Sequence, residues 1–377
     1  MSIGSLIYVD DIGMAGKLND IEQVGKQLEV MEQEKRFTFN NDQGKTHYLI
    51  IKTGKEEEQK PKIKVKKGKV TETESYKYLG CWIDNRGTAE KQIEEIGKKA
   101  IAITTEIIKI AKEELLGKFS TDAALVMYER TVVPTLTYNM ECWTKISKEE
   151  FQQMEQIQGG ILKRIFNLPV TTPYWGIVKE MGIWPMETRI TYQRLMLYES
   201  MMKSDENRLG RKIIESQKET SLKVNWAKET QKLAWKFEID LNKASEMSTE
   251  GWKKMVKEKL KKRLESDWNE SQANKRKTRH QKQQKIERKS YLSQMGIKEA
   301  SDTVKRRLEM LDIGNNLGKD RKCLCKEKET SEHIIQCRRR VGSNIQEEWL
   351  QETSDLQKIR RVDQFFEKYI EDRKEEN

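Results

Sequence analysis

The chain has 377 residues, 36% of them apolar and 35% charged, which is enough for two or three domains whose helices each carry a single apolar stripe. It has no run of some 18 apolar residues and no signal-peptide pattern, so a membrane span and secretion are not expected and an intracellular location is. Five cysteines do not make a disulfide framework, while five prolines and abundant Lys and Glu point to a mostly helical protein.

The first elements are β-like. Leu6–Val9 and Ile12–Ala15 read as two short buried strands, with Asp10 and Asp11 where a tight turn would fall. Adjacent carboxylates repel unless a cation lies between them, so the pair is either an acidic turn or half of a divalent-metal site, and this stretch alone favours the turn. Ile21, Val24, Leu28 and Met31 follow at helical spacing. A turn then leads to a strand over His47–Ile51, a charged loop covers Glu56–Lys69, and Tyr76–Asp84 reads as a strand pair or a bend at Gly80.

From Gly87 onward the period is helical. Ile93, Ile96, Ala100, Ile103, Ile107 and Ile110 form one stripe. A second helix is predicted from Ser120 towards Pro134. Ser147–Glu150 is a capping box before a third, with Phe151, Met154, Ile157, Ile161 and Ile165 as its apolar face. Thr172-Pro173 and Trp184-Pro185 punctuate further helices, the last reaching Met202. Residues 205–300 are polar and helix-prone, and Trp226, Trp235, Trp252 and Trp268 read as anchors of amphipathic helices rather than base-stacking platforms.

The net charge of +11 is concentrated between Lys253 and Lys289, where fifteen Lys or Arg meet five Asp or Glu. Such a stretch suits a polyanion, most simply nucleic acid, or else a solvated connector. Further on, Cys323, Cys325, His333 and Cys337 fall within fifteen residues. Three thiolates and an imidazole supply a tetrahedral Zn2+ set, although a one-residue gap between the first two cysteines is shorter than usual; the other reading is a chance group of free thiols. A bound ion would support a segment too small to build its own core. Cys81 and Cys142, each beside a Trp, read as buried small hydrophobes. The charged tail holds one possible helix through Phe365, Phe366 and Tyr369.

Tyr8-Val9-Asp10-Asp11, Lys45, Tyr78-Leu79-Gly80 and the CCHC cluster, in this order, resemble the C-terminal part of a non-LTR retrotransposon reverse transcriptase over nearly the whole chain. That resemblance implies an α+β, mostly α fold. A partial palm with short antiparallel strands would cover 1–84 and a helical thumb 85–204, with Val133–Tyr138 and Glu141–Trp143 similar to the family's thumb. A basic helical connector over 205–300, a CCHC zinc knuckle over 301–340 and a charged tail over 341–377 would follow. It implies Asp10 as a ligand of a Mg2+ pair with Asp11 beside it, and Lys45 as a proton donor to pyrophosphate. Tyr78, Leu79 and Gly80 would grip the primer end. RNA template and DNA primer would be the partners, in the cytoplasm or nucleus. Lys253, Lys254, Lys261, Lys262, Arg263, Lys275, Arg276, Lys277 and Arg279 would contact nucleic acid.

Two-metal nucleotidyl transfer needs carboxylates that hold ions about 4 Å apart, and a strand–turn–strand presents them rigidly. In the family a further metal-binding Asp and the fingers precede this hairpin. Only Met1–Val9 precede it here, without an acid. The Mg2+ site is therefore expected to be incomplete and the chain inactive by itself. The alternative is a non-catalytic nucleic-acid-binding module made of thumb, connector and knuckle.

Overall fold

The computed structural model describes residues 3–8, 11–16, 46–51, 70–113, 120–222, 224–271, 275–281, 285–314, 321–323, 325–337 and 355–375, with isolated positions at 20, 21, 23, 30, 34 and 345. The protein is mostly helical, with a few short strands in small sheets. No helix among the described residues is long and apolar enough to cross a membrane. The chain divides into two compact units, Met1–Glu95 and Ile96–Asn377.

In the first unit β1 (Ile3–Tyr8) pairs antiparallel with β2 (Asp11–Gly16), from Ile3 opposite Gly16 to Tyr8 opposite Asp11. The strands extend further outward than the apolar runs suggest, and Asp11 opens β2 rather than sitting in the turn. Asp10, Lys45, the Glu56–Lys69 loop, and Val24, Leu28 and Met31 of the expected helix lie outside the described residues.

β3 (His47–Tyr48) and β4 (Thr71–Glu72) correct the expectation of antiparallel strands. They pair in parallel, and β3 stops at Tyr48 instead of reaching Ile51. The 22 residues between them are long enough for the crossover that parallel pairing requires. The Thr71 hydroxyl and His47 Nδ1 lie 2.9 Å apart across the pair.

β5 (Ser75–Tyr78) and β6 (Cys81–Asp84) form a hairpin. Its two-residue loop, Leu79-Gly80, has φ of 47° and 79°. Positive φ at both positions matches the right-handed twist of the strands, and Gly80 adopts it without steric cost. Buried Asp84 then accepts hydrogen bonds from Arg86 N (3.1 Å), Thr88 N (2.9 Å) and the Thr88 hydroxyl (2.6 Å), folding the chain into α1 (Glu90–Glu113).

In the second unit the α1 stripe is buried at Ile96, Ala100 and Ile107, whereas Ile110 is exposed and Thr104 takes a buried place. Ser120 caps α2 (Thr121–Met127), accepting from Ala123 N at 3.1 Å. A π-helical turn, Tyr128–Val132, leads into α3 (Val133–Leu136), with Pro134 in its first turn. The widened turn fits a proline ring that would clash with the carbonyl of a regular one. The capping box opens α4 (Lys148–Ile165): Glu150 N donates to Ser147 Oγ at 3.1 Å, and Ser147 N to Glu150 Oε2 at 2.6 Å. Pro173 and Pro185 precede α5 (Tyr174–Met181) and α6 (Met186–Lys203).

α7 (Leu209–Glu219), α8 (Trp226–Lys236), α9 (Lys243–Glu246) and α10 (Thr249–Ser271) follow. Trp226, Trp252 and Trp268 are buried anchors, as predicted, but Trp235 is 68% exposed. Nine residues along α8 is two and a half turns, which puts Trp235 on the face opposite Trp226.

The basic stretch is no solvated connector over α10. Trp252, Val256, Leu260, Leu264 and Trp268 are all buried, at a strict spacing of four. Each step of four overshoots a full turn by about 40°, so the stripe winds around the helix. Its first three members join Leu195, Tyr198, Ile214 and Trp226 in one core. Its last two join Val178 and Ile286 in another.

α11 (Ile297–Arg307) brings buried charges to this unit. Arg307 donates to Glu180 Oε1 at 2.9 Å, and Gln281 Nε2 donates to Glu180 Oε2 at 2.8 Å. α12 (Ser331–Gln336) and α13 (Leu356–Glu375) complete the unit. Cys142 corrects the sequence reading: it is exposed, because Met140 takes the buried place in the 3-10 turn Met140–Cys142; Cys81, on β6, is half-buried.

Candidate metal centre and nucleic-acid face

Cys323 and Cys325 stand on a tight hairpin. Lys322 and Lys328 face each other in an antiparallel bridge, Cys323 N donates to Glu327 O at 2.9 Å, and Lys326 N donates to Cys323 O at 2.7 Å. Lys326 has φ of 75°, which turns the chain back after Cys325. The short Cys-x-Cys gap is accommodated because the second cysteine sits in this turn. The other two candidates lie four residues apart, one helical turn, at α12. The Thr330 hydroxyl caps that helix, accepting from His333 N at 3.1 Å.

The three Sγ atoms and the His333 nitrogen all lie within 4.8 Å of one another. Cys323 and Cys337 are 3.5 Å apart, and Cys325 Sγ is 3.0 Å from His333 Nε2. Zinc–sulfur bonds of about 2.3 Å in a tetrahedron place sulfurs about 3.8 Å apart, so small side-chain rotations bring this set onto an ion. Cys323 and Cys337 are buried, as in closed structural sites. Burial, with the Cys337 thiol beside it, pushes the Cys323 thiol up to about 11, and a metal would have to displace that proton. Three thiolates around a Zn2+ ion would leave one net negative charge, which Lys322, Lys326 and Lys328 on the hairpin would offset.

The sequence reading missed what surrounds this centre. Ile334 and Ile335 of α12 pack with Ile313 and with Val362, Phe366 and Tyr369 of α13, so the segment shares a core with the tail helix. Glu329, fully buried, accepts from Gly314 N at 2.7 Å, from the Tyr369 hydroxyl and from Arg373. Burial alone would raise its carboxyl, but Arg373, Tyr369 and the Gly314 N–H hold it below the usual range.

Of the polymerase-like motifs, Asp10 and Lys45 lie outside the described residues, and of Asp11 only the backbone is described. The fold does bring β2 to Tyr78: a Cβ at Gly13 would meet the Tyr78 ring at 3.3 Å.

The basic candidates are not equally available. Lys253 pairs with Glu250 (3.3 Å), Lys261 with Glu287 (3.8 Å) and Arg263 with Asp267 (2.9 Å). Lys254 and Lys262 are exposed and make no ion pair among the described residues, and Lys275 is exposed. The side chains of Arg276 and Arg279 lie outside the described residues. Lys277 reaches Thr171 O at 3.4 Å, and Lys163 reaches Val170 O at 2.7 Å. Burial and then the Lys277 charge lower the Lys163 ammonium, so these two cations converge although 114 residues separate them. No sequence period could have paired them.

In comparison with known proteins, the chain matches no protein family, no curated protein and no solved structure.

Proposed function

We propose that the chain is the C-terminal part of a non-LTR retrotransposon type of reverse transcriptase and that its own contribution is nucleic-acid binding. The observation that carries this reading is the convergence of Cys323, Cys325, His333 and Cys337 on one point. That cluster completes an ordered series of motifs which includes Asp10, Asp11, Lys45 and Tyr78-Leu79-Gly80. In this reading Asp10 and Asp11 are Mg2+ ligands, Lys45 donates a proton to pyrophosphate, and Tyr78, Leu79 and Gly80 meet the primer end. Zn2+ holds the knuckle. Lys254 and Lys262, exposed on the face of α10 away from its buried stripe, meet phosphates.

A non-catalytic module is the second reading, and the exposed lysines of α10 and the Lys163–Lys277 pair favour it. Both readings require salt-dependent binding to RNA and single-stranded DNA, because released counterions drive association. Lys254→Glu with Lys262→Glu should weaken binding and reduce the salt slope by about 1 per lost phosphate contact. Binding without salt dependence removes both. Primer extension on an RNA template with Mg2+ tests what the two readings share: the 377-residue polypeptide is expected to extend nothing, and extension abolished by Asp10→Ala would overturn both and make it a polymerase.

A further inference from the structure

We propose that Glu329 is a positioning residue of the metal centre, tying the ligand hairpin to the C-terminal helix so that metal occupancy and the seating of α13 are one linked equilibrium. This rests on the Zn2+ reading of the Cys3His cluster.

Glu329 follows the Cys323–Cys325 turn on the return strand, where its N–H donates to Arg321 O at 3.2 Å. Its side chain meets three partners from two other segments: Gly314 N before the hairpin, and Tyr369 and Arg373 on α13. Both carboxylate oxygens are engaged and the residue is fully buried. Gly314 is needed for this approach, since a Cβ there would meet Arg321 Cβ at 2.3 Å and the Glu329 carboxylate at 2.9 Å.

The apolar contacts run along the same line. Ile334 and Ile335 lie between the ligands His333 and Cys337, and they form a core with Val362, Phe366 and Tyr369. At its other end α13 is held to α11, by Arg306 on Asp363 at 2.5 Å and by Arg360 on Glu299 at 2.5 Å. The helix is therefore clamped at two places, and one clamp is built on the metal hairpin. Removing the ion frees four side chains that position Glu329, Ile334 and Ile335. By reciprocity, losing the clamp must weaken metal binding by the same factor. A buried carboxylate with an Arg partner also fixes geometry in a way that a solvated loop cannot, and residues supporting a ligand shell commonly change metal affinity 10–100-fold.

The test uses the full chain, with Zn2+ affinity measured by chelator competition and amide hydrogen exchange followed segment by segment. Chelation should speed exchange in α13 at least tenfold and leave α10 unchanged. Glu329→Gln should bind one Zn2+ at saturation with at least tenfold lower affinity. Tyr369→Phe, which keeps the packed ring, should show a smaller loss in the same direction and serves if Glu329→Gln does not fold. A chain that binds Zn2+ while α13 exchanges equally with and without it overturns the coupling alone, as does wild-type affinity in Glu329→Gln and Tyr369→Phe. A chain that takes no Zn2+ overturns the metal reading and the coupling together.

Discussion

Replacing Glu180 by Gln keeps the shape of the side chain and removes its charge. Both members of the Glu180–Arg307 pair are about 1% exposed, and their closest atoms are 2.9 Å apart. At that distance, with an effective dielectric constant of about 20, two unit charges attract by about 6 kcal/mol. Desolvation consumes part of this in the wild type, but in the variant Arg307 remains desolvated without its counterion. Buried Arg306 adds positive charge in the same region. Breaking one side of a buried pair costs about 3–5 kcal/mol, and we expect Glu180→Gln to lose that much, a large share of the stability of any domain. Urea unfolding followed by far-UV circular dichroism measures it. Glu180→Leu combined with Arg307→Met removes both charges at similar volume. It should recover most of the loss, less about 1 kcal/mol for Gln281, which would lose one of its acceptors. A loss below about 1 kcal/mol in Glu180→Gln would refute the claim that this pair is a desolvated tie between α5 and α11.

Glu155, pushed up to about 7 from 4.5 by burial and by Glu187, against Lys236, should give a pH signature. The folded state holds its proton where the unfolded state has released it, so its contribution is full below about 4.5 and is lost as pH rises towards 7. Urea midpoints across that window should fall in the wild type and flatten in Glu155→Gln. Gly182 has φ of 63°, and a Cβ there would lie 2.0 Å from Arg288 N, so Gly182→Ala should cost more than about 1–2 kcal/mol in thermal unfolding. Gly160, inside α4 with nothing near its missing Cβ, should instead gain about 0.5–1 kcal/mol as Ala. Metal analysis should find one Zn2+ per chain, lost in Cys325→Ser and retained in Cys142→Ser.

Local chemistry was legible in the sequence. The Ser147 capping box, the Ser120 cap and the helix starts at Pro173 and Pro185 depend on residues a few positions apart, and all are present. The Leu79-Gly80 turn and the four metal-ligand candidates were legible for the same reason. Contacts joining distant segments were not. Glu180 and Arg307 are 127 residues apart and look like ordinary surface charges until the helices pack. Glu329 reads as one acid in a charged run, although it accepts hydrogen bonds from two residues of α13. In α10 the two tryptophan anchors were legible, but the stripe between them escaped because constant spacing of four leaves no fixed apolar side, and its lysines dominate the composition. Trp235 and Cys142 erred the other way: apolar neighbours in sequence did not translate into burial, since a helix face and a short turn directed them outward.

The winding stripe of α10 also bears on which length changes the helix can absorb. Deleting one residue between Leu260 and Leu264 rotates everything beyond it by about 100° and carries Leu264 and Trp268 away from Val178 and Ile286. Deleting four rotates it by only about 40°, one step of the existing drift, though it draws the two cores about 6 Å closer. α10 thus behaves as a threaded shaft between two sockets. Its tolerance to insertion and deletion should repeat with the helical turn, so that phase constrains the length of this segment more tightly than composition does.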